Sequence, residues 1–175
     1  MKSVGPLSRI IALAGLLLVA PLTAAPAMAA RADVELLQSY VGDWRGKGEM
    51  VGAETETVVC RLSLTKGNQD KVNYSGRCSL AGTVLSVNGT LAYNDSARRF
   101  EAAMSSNATF SGLAVGKRQG SALVFNLKER NKDEAGNDLT ISAAITLRKE
   151  KINVDFKVVF NATGDSMTAS VPFSK

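Results

Sequence analysis

The feature that most restricts this chain is a two-residue rhythm of apolar and polar side chains. Leu139, Ile141, Ala143, Ile145 and Leu147 alternate with Thr140, Ser142, Ala144 and Thr146. After a charged turn at 148–151, Ile152, Val154, Phe156, Val158 and Phe160 repeat the pattern, and Met167, Ala169, Val171 and Phe173 repeat it again. Successive side chains of a strand point to opposite faces, so each segment has one apolar and one wet face. Weaker versions lie upstream: Leu85, Val87, Leu91 and Tyr93; Phe100, Ala102 and Met104; Leu123, Phe125 and Leu127. Residues 109–116 carry apolar side chains on both parities, and their faces are not assignable from sequence. Turn-forming clusters at 94–96, 116–120, 134–138 and 164–165 separate the segments.

Some eight to ten strands with short connections predict an all-β fold, an antiparallel up-and-down β-barrel. Closure removes the edge strands that otherwise invite aggregation. A two-sheet sandwich is the alternative. A membrane barrel would put its apolar face toward lipid and polar residues in its lumen. Here the polar face carries Lys, Arg, Asp and Asn, so it belongs in water and the apolar face lines the inside. The only helix expected is short and N-terminal, over residues 34–40, with Asp33 as N-cap.

The N-terminus reads as a secretory signal. Lys2 and Arg9 form a basic region, residues 10–19 an apolar run, and Ala27-Met28-Ala29 a small-residue cleavage site. The run is shorter than the roughly 20 residues of a membrane span. Cleavage near Ala29/Ala30 removes residues 1–30 and leaves 31–175 as one domain, periplasmic or secreted and not membrane-spanning. The net charge of +5 then loses two cations. The basic pairs Arg98-Arg99, Lys117-Arg118 and Arg148-Lys149 have no interleaved aromatics, so no nucleic-acid partner is expected.

An oxidising compartment makes a disulfide the default for two cysteines. A hairpin turning at Gly67-Asn68-Gln69-Asp70 places Cys60 opposite Cys78, Leu62 opposite Gly76 and Leu64 opposite Tyr74. Directly opposed strand residues lie about 4.5–5.5 Å apart, within disulfide reach.

The single tryptophan sits in Gly42-Asp43-Trp44-Arg45-Gly46-Lys47-Gly48. A short helix, then G-x-W, then antiparallel strands resembles the calycin superfamily, including lipocalins and fatty-acid-binding proteins. The fuller G-x-W-x-G-x-G form is most similar to nitrobindin-type haem-binding barrels and to lipocalin-like domains of bacterial exported proteins. The resemblance implies structural roles for Gly42, Trp44, Gly46 and Gly48, with the indole packed across one barrel end. It also implies haem held through histidine, yet the chain contains no histidine. A looser resemblance is to small periplasmic inhibitors of secreted metalloproteases.

Lack of histidine removes Ser-His-Asp and Cys-His systems and most catalytic zinc sites. No glycine-rich phosphate loop precedes a helix. Asp155 and Lys157 share the wet face of a strand, where a cross-strand ion pair explains them better than catalysis. No enzymatic activity, metal site or cofactor is therefore expected. The interior is expected to be lined by Leu64, Ile145 and Val158, with Tyr74, Phe100, Met104, Phe125, Phe156 and Phe160 as the candidate ligand contacts. Two readings stay open. In one, the lumen holds a small hydrophobic molecule. In the other, the same side chains fill it and a protein partner, such as a protease, binds the surface.

Overall fold

The computed structural model describes residues 26–80, 82–108, 111–133 and 135–175, with the side chains of 26–29 excepted. The expected signal peptide thus lies largely outside the described residues. Ten strands follow one helix: β1 (Gly42–Val51), β2 (Thr55–Lys66), β3 (Val72–Leu80), β4 (Thr83–Asn94), β5 (Arg99–Ser106), β6 (Ser111–Gln119), β7 (Ala122–Lys132), β8 (Asp138–Arg148), β9 (Lys151–Phe160) and β10 (Ser166–Ser174). Each pairs antiparallel with its sequence neighbour, and β10 returns to β1, closing a barrel. The sandwich alternative is excluded, because pairing is continuous around the ring. Among the described residues no helix is long and apolar enough to cross a membrane.

Side-chain parity sets inside from outside, as the sequence rhythm demands. Ile141 and Leu147 of β8, Ile152 and Val158 of β9, and Val171 and Phe173 of β10 are all buried. The ambiguous β6 resolves the same way: Ala114 and Gly116 are buried while Leu113 is exposed.

The β2–β3 hairpin adopts the expected register, with Cys60 opposite Cys78, Leu62 opposite Gly76 and Leu64 opposite Tyr74. Its turn uses Gln69 and Asp70 at φ 54° and 60°, a left-handed conformation tolerated by turn residues such as Asp. Cys60 and Cys78 are joined as a disulfide, with Cα atoms 4.0 Å apart.

The helix differs from expectation. α1 runs Pro26–Gln38, starting well before residue 34, so Asp33 lies inside it and caps nothing. Ala27, Ala29, Ala30 and Ala32 are strong helix formers, and they carry the helix back through the expected cleavage site. Asp33 instead docks the helix on the barrel, 3.5 Å from the Arg118 guanidinium. Behind it, Leu37 and Tyr40 are buried against the barrel end. The Tyr40 hydroxyl shares its one proton between the carbonyls of Ser121 (3.3 Å) and Leu147 (3.2 Å), tying the helix exit to the β6–β7 turn and the end of β8.

Trp44 completes this closed end. It is 1% exposed, and its indole N–H donates to the Tyr40 carbonyl at 3.1 Å. Outside it, the Lys175 ammonium stands 4.8 Å from the ring centroid and reaches the Val41 carbonyl at 3.3 Å. Gly42, at φ 142°, admits the bend into β1. A Cβ at Gly46 would press to 2.7–2.8 Å on Val171 and Phe173, and one at Gly48 would collide with the Ser170 carbonyl. At this point the β1–β10 ladder skips Lys47 and Gly48, opposite Pro172 and Val171, and Pro172 has no N–H to give.

Two outcomes test this architecture. Trp44 emission should be strongly blue-shifted in the folded protein and move to the solvent value on unfolding. Replacing Cys60 and Cys78 together by Ala releases a loop of 18 residues and should lower unfolding free energy by about 3 kcal/mol, read from denaturant titration.

Candidate functional site: the barrel lumen

Toward the helix, the lumen is solid. Trp44, Leu64, Val72, Phe100, Leu123, Leu147 and Ile152 are each no more than 2% exposed and fill the cross-section. One layer further in, the inward side chains shrink. Ala102 and Ala143, with Gly76, occupy inward positions along the wall there. The result is a cavity of ≈ 180 Å³. Its wall is nearly all apolar: Leu62, Leu64, Tyr74, Leu85, Val87, Leu91, Met104, Phe125, Ile145, Leu147, Ile152, Val154 and Phe173, with Gly76, Cys78, Ala102 and Ala143, and Arg61 at its border.

Tyr74 is the one polar group aimed into this space. Its hydroxyl donates to the Ala103 carbonyl at 3.1 Å, crossing β4 where Gly89 leaves room; a Cβ there would sit 2.7 Å from that hydroxyl. Burial pushes the Tyr74 phenol well above its ordinary range, because the phenolate would lose its hydration. Burial raises Tyr40 likewise, opposed by Arg118 and Arg148. Tyr93 is raised too, by desolvation first and then by the Asp33 carboxylate beside it.

The six candidate contacts occupy four different places. Tyr74, Met104 and Phe125 border the cavity. Phe100 lies in the solid layer below, with ring centroids 5.0 Å from Tyr93 and 6.4 Å from Phe125. Phe156 packs partly buried against the core, opposite Ala143 and Ala169. Phe160 sits at the far rim, in a shallow depression with Gly52, Ala53 and Met167. Leu62, Leu85, Val87, Val154 and the Cys60–Cys78 bridge had no place among the candidates. Their parity pointed inward, but nothing in a strand pattern tells which layer of a barrel is left open.

On the outer face, Asp155 is held by the Asn153 amide and the Ser170 hydroxyl, both at 2.7 Å. No ion pair with Lys157 forms among the described residues; the shorter neutral partners reach the carboxylate first.

No protein-family model matches the chain, and no curated protein matches it in sequence. Solved structures do match in shape. The crystal structure of Rv2717c from M. tuberculosis superposes with a TM-score of 0.64 at 10% identity, covering 81% of this chain and 96% of that one. The S-type phycobiliprotein lyase CPES from Guillardia theta superposes with a TM-score of 0.53 at 13% identity, covering 79% and 89%. At such identities the likeness is one of fold. The architecture is a closed antiparallel barrel of ten strands, similar in fold to these two structures.

The tyrosines give this site a pH signature. A phenol whose folded pKa is raised adds stability that is intact below the ordinary value near 10 and is lost as pH climbs above it. Tyr74→Phe should cost about 1 kcal/mol at neutral pH by deleting the bond to Ala103. It should also make the alkaline fall in stability shallower, as measured by unfolding titrations on both sides of pH 10.

Proposed function

We propose that this protein is an exported binding protein that holds a small apolar molecule in its lumen, without catalysis and without a haem. The carrying observation is the apolar cavity of ≈ 180 Å³ beneath a solid, tryptophan-plugged end. Drug-sized ligands occupy pockets of about 300–1,000 Å³. An apolar cavity of about 150 Å³ stays dry and takes a single aromatic ring. The ligand class is therefore a single ring or a short branched acyl group, bound by shape and burial, with the Tyr74 hydroxyl, its proton given to Ala103, offering only an acceptor lone pair.

The space and the donors argue against a haem. A macrocycle needs a larger slot, and Tyr74 already has its partner in Ala103. The disulfide supports residence in an oxidising compartment. The likeness in fold to a phycobiliprotein lyase supports a barrel used for work on small molecules. The polar outer strand faces support a barrel that stands in water. The open lumen favours this reading over a filled-core module acting only through its surface.

Native mass spectrometry compared with the denatured spectrum tests the proposal. The expected result is a stoichiometric small mass that disappears on denaturation. Ala143→Phe, which grows into the cavity, should abolish that mass while leaving the melting temperature equal or higher. Retention of the ligand in Ala143→Phe would place it outside the lumen and sink the reading.

A further inference from the structure

The outer face of the barrel carries a row of cations that strand pairing alone does not favour. Arg45 of β1 is directly opposite Arg61 of β2, and Arg61 is directly opposite Arg77 of β3. All three are exposed. The same transverse row continues through Ser174, opposite Arg45, to Lys151 and then Arg148, which pair with each other. Lys151 and Ser174 line one outer depression together with Arg45. Like charges directly opposed across a sheet are destabilising. The ion pairs among the described residues all lie elsewhere, at Arg31–Glu35, Arg99–Glu101, Arg118–Asp33 and Lys132–Asp138. The three guanidiniums therefore have no carboxylate partner among the described residues.

The row is also built on a rigid base. The Cys60–Cys78 bridge lies on the inner face, one residue from both Arg61 and Arg77, and fixes the spacing of the two strands beneath them. Shallow depressions flank the arginines. One holds Ser63 and Ser75 with Asp43, and the other holds Lys47 and Lys151 with Glu150. Cations thus outnumber acids along the row, and neutral hydroxyls sit between them.

We propose that this row binds an acidic polysaccharide bearing sulfate or phosphate groups, laid across the strands. Arginine forks match planar oxyanions with two N–H donors each, and serine hydroxyls suit the sugar hydroxyls between them. The row crosses six adjacent strands of a ten-stranded ring, more than half the circumference. A flexible chain can follow that curve, whereas a flat bilayer touches only part of it. No aromatic side chain faces outward between the arginines, so the stacking platform of a single-strand nucleic-acid groove is missing.

The test uses the intact protein and heparin as the sulfated probe. Arg45, Arg61 and Arg77 are replaced together by Ser, and a control variant replaces Lys128, Arg130 and Lys132 by Ser. Both lose three charges from exposed strand positions, so differences report position rather than net charge. The expected result is at least tenfold weaker heparin binding for the arginine variant, with a smaller salt dependence, and less than twofold change for the control. Circular dichroism and melting should show both variants folded, with the arginine variant no less stable. Equal weakening by both variants would reduce the row to generic attraction and overturn the proposal. Single-stranded DNA or anionic phosphatidylglycerol vesicles binding as tightly as heparin, with the same dependence on the arginines, would overturn the assignment of a polysaccharide.

Discussion

The structure depends on the hydrogen-bonded closure of β1 onto β10. Those strands lie at opposite ends of the described sequence, yet Arg45 meets Ser174 and Val51 meets Thr168. Without that pairing both would be edges, with a row of unmet N–H and C=O groups. Closure also converts one apolar face per strand into a single enclosed interior, so every inward side chain must be judged against residues on the far wall. The distance in sequence between β1 and β10 makes this a non-local contact of the kind that slows folding. The helix exit, Trp44 and Lys175 converge on the same seam, where they reinforce it from the inside and the outside.

Once the ring is closed, side-chain volume decides what the interior can do. At the helix end, large residues meet and exclude everything. One layer away, Ala102 and Ala143 leave space between the walls that their neighbours do not fill. Glycines also draw strands together where the sheet bends, as at Gly48 against the Ser170 carbonyl. Gly89 does the same against the Ala103 carbonyl, so the glycines tighten the barrel while the small side chains of Ala102 and Ala143 border its open centre. The disulfide belongs to both faces of the argument: it walls the cavity on the inside and holds the Arg61–Arg77 pair in register on the outside.

Much of this was legible in the chain. Alternation in 139–147, 152–160 and 167–173 identified inside and outside for three strands, and the structure keeps those faces. A four-residue turn placed Cys60 opposite Cys78, because antiparallel pairing makes register a matter of counting from the turn. Less legible was anything that needed two distant segments at once. Phe100 and Phe125 have the same inward parity, yet one is in the solid layer and the other borders the cavity. Their heights along the barrel depend on strand stagger, which no single segment records. The early start of α1 was missed for a different reason: its alanine-rich turn carried a second reading as a cleavage site.

The amino-acid sequence by itself determined the strand count to within two, the inward face of most strands and the cysteine pairing, because these follow from side-chain period and local turn geometry. Only the tertiary structure decided that ten strands close into one ring, that one layer of the ring is filled and the next left open, and that Arg45, Arg61 and Arg77 stand side by side. Those outcomes depend on which residues of separate strands come level with one another, and that is set by hydrogen-bond register summed around the whole barrel.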